Sequence, residues 1–433
     1  MIGRLLAGAL LVGLVLAGPT RATELLILSE RLPSGLTVLV RENPSAPVVA
    51  VSVLVRVGSR WEREDNAGIS NLLQQVLVKG TRTRSALAIA EAAEDVGGSV
   101  SASGDTDTSE IRASGLSRHW KRVLELIADV TLHPSLPDPE IEAERRVVQS
   151  ALRSRADQPF QHAYDTLMER VYGPHPYSRP VLGRMAVVAR LDRAALLEHY
   201  RAFYRAGRTV VSVSGDVSAP QVAAELRRLF AEMPPGEGTV SDPSVAPVTT
   251  PGRVLVTHPA AQAQVLAGTI GPAIAQRDYA AVKVLTVALG GGMAGRLFTE
   301  LRDRQGLAYS TGALNPSRVQ PSVFIAYLGT APDNAERAEE GMRRELERVA
   351  REPVSPDELA RAKAYLLGQF ALDRRTNARL AWYQAYFESA GVGHDFAPRY
   401  VRAVEAVTVD DLLRVARAYL AAPAFVSLRP PAR

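Results

Sequence analysis

The 433-residue chain contains no cysteine, which removes disulfides, thiolate metal sites and any lipid-bearing cysteine behind an export signal in one step. Aromatic residues are scarce at 6%, and no basic tract is interleaved with them, so the usual surface for nucleic acid is missing. The seven histidines (His119, His133, His162, His175, His199, His258 and His394) are scattered, and no two stand at metal-ligand spacing. Glu198-His199 reads as an ordinary helix pair. The glycines at 290–292 are not followed by the Gly-Lys-Ser/Thr of a phosphate loop, and no Gly-x-Ser-x-Gly elbow occurs. Long apolar runs are absent apart from Leu5 to Ala17, which is short for a membrane span.

What remains is ordinary globular content, 46% apolar and 22% charged, in a chain long enough for two or three domains. Met1 and Arg4, the apolar run to Ala17 and small residues up to Ala22 have the layout of a secretory signal peptide. We therefore expect residues 1–22 to be removed, by cleavage after Ala22 or Ala17, with an uncleaved anchor as the alternative. No integral span is expected after that cleavage. The Ala- and Arg-rich usage looks bacterial, which makes the periplasm the expected location. The formal charge of +5 falls to about +3 once Arg4 and Arg21 are gone, a weak pull on any anionic partner.

Leu36 to Arg41 and Val48 to Val57 read as strands, as do runs near 99–104, 108–114 and 209–215. Helical periodicity covers roughly 68–79, 85–96, 117–130, 138–155, 158–171 and 194–205. Strands and helices do not alternate strictly, so the expected class is α+β, with helices packed on one face of a mostly antiparallel sheet. Residues 237–252 belong to the most Pro- and Gly-rich internal stretch and read as a linker, separating 23–236 from 253–433. The two parts echo each other. Ala194 to Leu197 with Tyr200 and Tyr204 is matched by Asp410 to Leu413 with Ala416 and Tyr419, and each is followed by an apolar strand. Leu136-Pro137-Asp138 and Ser355-Pro356-Asp357 each open a long helix. Both pairs repeat at an offset of roughly 220 residues, the mark of a duplicated domain.

The segment from Gly68 to Thr81 is the most informative. Ile69, Leu72, Leu73, Val76 and Leu77 form the apolar stripe of an amphipathic helix, and Asn71, Gln74 and Gln75 are its polar positions. With Gly68 ahead of the helix and Lys79-Gly80-Thr81 behind it, the segment resembles the His-x-x-Glu-His helix of the insulinase/pitrilysin family of zinc metallopeptidases. The resemblance extends over nearly the whole mature chain, through Leu32 to Leu36, Val57 to Arg60 with Glu62, Leu87 to Gly98, Tyr172 to Tyr177 and Leu182-Gly183. It implies that Asn71 and Gln75 stand where the zinc-binding histidines belong, and Gln74 where the catalytic glutamate belongs. The family's third ligand is a Glu seven residues after another Glu. Glu144 matches the first of these, and the ligand position falls on Ala151. A carboxamide is a poor zinc ligand and cannot take a proton from water. No metal is therefore expected in this chain, and no peptide hydrolysis by it alone.

The second part differs. Leu289 to Gly292, Arg296 to Arg302 and Gly306 to Ser310 are similar to the family's substrate-side motif, in which an Arg and a Tyr stand seven residues apart, as Arg302 and Tyr309 do. The resemblance implies that this pair reaches a zinc site in another domain and holds substrate backbone and carbonyl oxygen. Read without it, Arg302 makes a surface ion pair and Tyr309 caps a core. The expected function is the non-catalytic subunit of a heterodimeric zinc endopeptidase. Zinc would reside in an intact-motif paralogue, and unfolded peptide would be the substrate. The alternative is an inert structural or peptide-binding scaffold of the same fold.

Overall fold

The computed structural model describes residues 27–431; the expected signal segment, 1–22, lies outside them. In chain order the strands are β1 (Ile27–Arg31), β2 (Thr37–Glu42), β3 (Val48–Val55), β4 (Ser99–Gly104), β5 (Ser109–Leu116), β6 (Thr209–Gly215), β7 (Gly252–Thr257), β8 (Ala263–Ile270), β9 (Ser310–Leu314), β10 (Val323–Thr330) and β11 (Ala424–Arg429). They form two sheets, ordered β1-β2-β6-β3-β5-β4 and β7-β11-β8-β10-β9. Without β1 the second order repeats the first, strand for strand. Each sheet carries one parallel pair, β2 with β6 and β7 with β11, and is otherwise antiparallel. The fold is α+β, and the two echoes in the sequence are equivalent elements. Helices Arg193–Phe203 and Val409–Tyr419 precede β6 and β11, and helices Asp138–Ala156 and Pro356–Asp373 open at the two Pro-Asp pairs. The segment between the sheets, 238–251, contains no helix or strand. It is pinned at Asp242 by the Trp61 indole N–H, at Pro243 by Gln320 and at Thr250 by the Arg170 carbonyl.

Alternation along the strands sorts the first core. Val38, Val40, Val49, Val51, Val53, Val55, Val211 and Val213 face the helices of their own half, which include Ile69–Leu77 and Trp120–Leu132. The opposite face is covered as well. Leu39, Leu54 and Val210 join the core of the second half, through helix Asn377–Ser389 lying across β3 and β6. In return, Ala163, Leu167, Val171 and Tyr172 of helix Pro159–Tyr172 cover Leu266, Ile325, Val426 and Leu428 of the second sheet. Each half thus lends one helix to the other's sheet, where one covered face per sheet was expected. Polar pairs fix this exchange. Ser212 Oγ meets Gln384 at 3.1 Å and Ser214 Oγ meets Asn377 at 3.0 Å, and Asn43 donates to Asn377 at 2.7 Å. No helix among the described residues is long and apolar enough to cross a membrane.

Candidate functional site

The helix Ile69–Leu77 starts where it does because of one glycine contact and one carboxylate. Gly68 has φ +100°, and a Cβ there would come within 2.8 Å of the Leu182 carbonyl oxygen. Gly183 approaches from the other side, where a Cβ would meet the Ala67 oxygen at 2.2 Å. Only hydrogen fits on either side of that crossing. The Glu62 carboxylate then accepts the N–H groups of Gly68 at 2.7 Å and Ser70 at 2.9 Å, which places an anion on the helix N-terminus. Burial pushes the Glu62 carboxyl above its usual range, and those same bonds oppose the shift.

On this helix Asn71 and Gln74 are buried and Gln75 is half-buried. The Gln74 amide donates to the Tyr204 hydroxyl, and its Cγ lies against Gly104 at the end of β4, the terminal strand of the first sheet. The carbonyl oxygens of Asn71 and Gln74 are buried without a protein partner among the described residues. Glu144, on helix Asp138–Ala156, is taken by Lys79 at 2.8 Å. Two helical turns further on, Ala151 is exposed, offering a methyl group where a carboxylate would be needed. The donor set is therefore neutral amide oxygens and nothing else, which does not fit zinc. Among the described residues no three His, Cys, Asp or Glu gather closely enough to share a metal.

One neighbour of this helix was not legible beforehand. His199 is buried, not a plain helix-surface residue, and its Nε2 lies 3.1 Å from Ser70 Oγ. Burial pushes its pKa down to about 4, so it stays neutral. The pair braces the helix against Arg193–Phe203. Sequence could have hinted at this through its spacing to Phe203 and Leu196, which share its buried face.

In the second half, residues Phe298–Arg304 are wound with the wider π spacing and lie against β9, the terminal strand of the second sheet. The chain reverses directly afterwards. The Leu307 N–H bonds the Leu301 oxygen at 2.7 Å and Gly306 bonds the Arg302 oxygen at 3.1 Å, with both leucines buried. That reversal brings Arg302, at the end of one arm, near the arm that carries Tyr309. Both side chains are exposed, Tyr309 by 60%. Tyr309 is held only by its backbone, whose N–H meets the Gly329 oxygen at 2.9 Å. The Arg302 guanidinium lies 4.7 Å from the Phe298 ring, and it has no ion pair among the described residues. Neither the surface ion pair nor the core cap describes this pair.

The Tyr172 to Tyr177 segment joins the halves. The Tyr177 hydroxyl donates to Asp107 at 2.5 Å, Asp107 also accepts the Val319 N–H at 3.2 Å, and Arg318 pairs with Asp105 at 2.7 Å. His175 Nε2 meets Gln320 at 2.7 Å.

Comparison with known proteins places these features in a family. Residues 37–184 match the family model "Insulinase (Peptidase family M16)", and residues 190–366 match "Peptidase M16 inactive domain". An uncharacterized zinc protease of Mycobacterium tuberculosis is 31% identical over 394 residues, covering 89% of each chain. One from Rickettsia felis is 28% identical over 368 residues, 85% of this chain and 86% of its own. Among solved structures, a peptidase M16 inactive domain from Pseudomonas fluorescens superposes with TM-score 0.87 at 21% identity, over 94% of this chain and 98% of that one. A protease from Helicobacter pylori gives 0.85 at 24%, over 93% and 99%. These two likenesses speak for the fold alone. With such identity sustained over most of its length, the chain belongs to the insulinase family, peptidase family M16, and to the type within it that lacks the zinc site.

Proposed function

We propose that this chain is the non-catalytic subunit of an exported, heterodimeric zinc endopeptidase. Residues 23–236 and 253–433 are its two peptidase-like domains, joined by 237–252, and the periplasm is its place of work. An intact-motif paralogue holds the zinc. Arg302 and Tyr309 reach that site and donate to the substrate backbone and to the oxygen on which charge develops, as a guanidinium and a phenol are suited to do. The substrate is unfolded peptide, bound through its extended backbone.

One observation carries this reading. The metal positions of the first half hold only neutral side chains, while Arg302 and Tyr309 are exposed and uncommitted to any ion pair or core contact among the described residues. A pure scaffold has no need of such a pair. The test is zinc-dependent cleavage of an unstructured peptide by an equimolar mixture with the intact-motif paralogue of the same organism. Activity in the wild-type mixture that disappears with Arg302→Ala/Tyr309→Phe supports a split site. A paralogue that cleaves equally well alone, or with the double variant, makes this chain a scaffold or peptide binder.

A further inference from the structure

Aromatic residues are few in this chain, 13 Tyr, 9 Phe and 3 Trp, yet six of them line one cleft of about 700 Å³ in the second half. Tyr279, Phe387 and Tyr400 form its buried floor, and Phe370, Tyr383 and Phe396 its half-buried walls. The walls are braced ring on ring. Phe370 meets Tyr383 and Tyr400 edge-on, at centroid distances of 5.5 and 5.1 Å. The volume falls within the range of small-molecule sites, roughly 300–1,000 Å³.

The charges in this cleft do not balance. Asp373 is its one lining acid, and it is fully committed. Arg379 grips it at 3.1 and 2.6 Å, and the Tyr383 hydroxyl donates to it at 2.5 Å. Two cations are left over. Lys283, half-buried on helix Tyr279–Gly290, has the Asn315 carbonyl as its hydrogen-bond acceptor and lies 5.2 Å from the Tyr279 ring. At the rim, Arg375 donates to the Leu372 carbonyl at 2.7 Å. Among the described residues neither has an acidic partner. An ammonium held beside an aromatic ring with only a carbonyl for company is stabilised by an anion that brings its own apolar body. Burial pushes the Lys283 pKa down to about 7, in keeping with that missing counter-charge.

We propose that this cleft binds an apolar or aromatic group bearing a carboxylate, with the rings taking the body and Lys283 pairing with the carboxylate. Two sources present that chemistry, a free organic acid and the C-terminal residue of a peptide. The inference does not depend on the split active site, because none of its residues belongs to the Arg302/Tyr309 motif or to the degenerate helix.

The test is calorimetric titration of the whole chain with dodecanoate, with the peptide Ala-Ala-Ala-Ala-Phe carrying a free C-terminal carboxylate, and with that peptide's C-terminal amide. At least one carboxylate is expected to bind with Kd at or below about 100 µM. Lys283→Met should weaken it at least about tenfold, Lys283→Arg should retain most of it, and the amide should bind at least about tenfold more weakly than its acid if the peptide is the ligand. Tighter binding of dodecanoate assigns a free acid, and tighter binding of the peptide assigns a chain terminus. Should Lys283→Met lose its thermal transition, Arg375→Ala at the exposed rim serves in its place, with a smaller loss expected. The proposal is overturned if neither carboxylate binds below about 1 mM, or if binding is unchanged by the substitutions.

Discussion

At the end of β4, in the first half, Gln74 is buried and tied to Tyr204, with Asn71 buried one turn earlier. Just ahead of β9, in the second half, Tyr309 stands 60% exposed, and Arg302 is exposed on the preceding arm. The two strands are equivalent, each the terminal strand of a sheet with the same order. A duplicated scaffold has closed one edge with neutral amides and left the other presenting a cation and a phenol. Equivalent strands in a repeat are free to carry different chemistry, here at opposite ends, because the sheets and their valine faces, not the edges, hold the fold together.

The sharpest way to break this contrast is to restore the first half. Asn71→His, Gln74→Glu, Gln75→His and Ala151→Glu together are expected to convert a chain without measurable zinc affinity into one binding a single zinc at micromolar concentration or below, a gain of about three orders of magnitude, read by metal analysis after dialysis. Leaving Ala151 in place should weaken that binding at least about tenfold. Next in size is the second half. In the proposed heterodimer, Tyr309→Phe or Arg302→Ala alone should cost about 10²-fold in kcat, as loss of one preorganised donor does, whereas Gln74→Ala should leave kcat unchanged.

A third measurement concerns the bracing of the degenerate helix. His199 has a folded pKa near 4 against an ordinary value of 6.5, so between those values the unfolded chain binds more protons than the folded one. Stability is complete above pH 6.5 and falls as the pH drops towards 4, by up to roughly 3 kcal/mol. Thermal melts across that window should show the loss, and His199→Gln should flatten this part of the profile. The smallest expected effect lies where the halves meet. Asn377→Ala leaves Ser214 and Asn43 without their shared acceptor and should cost about 1–3 kcal/mol in denaturant unfolding.

Much of the scaffold could be read from the chain. The β-branched run in Val48–Val55, the Pro-Asp helix openings and the two matched helix-strand pairs gave element positions to within a few residues, because strand formers, helix starts and the helical period are local signals. The second covered face was hidden. In β6, Val-Val-Ser-Val-Ser looks the same whether the serines meet water or a polar helix, and only the fold brings Gln384 and Asn377 over them. The Arg302/Tyr309 spacing carried meaning only through resemblance, since a seven-residue gap does not say that the chain turns back at Gly306. Lys283 gave no signal at all. A lysine in an apolar helix reads as a surface cation, and its lack of a counter-ion depends on helices more than 70 residues downstream in sequence.

The exchanged helices bear on how the molecule comes apart. If helix Pro159–Tyr172 is withdrawn, Leu266, Ile325 and Val426 are exposed on a sheet belonging to the other half, and withdrawing Asn377–Ser389 does the same to Leu39, Leu54 and Val210. Neither half owns a complete core, so the duplication yields one cooperative body in place of two beads on a string. A nick anywhere in 238–251 would leave the two fragments clasped, each still wearing the other's helix.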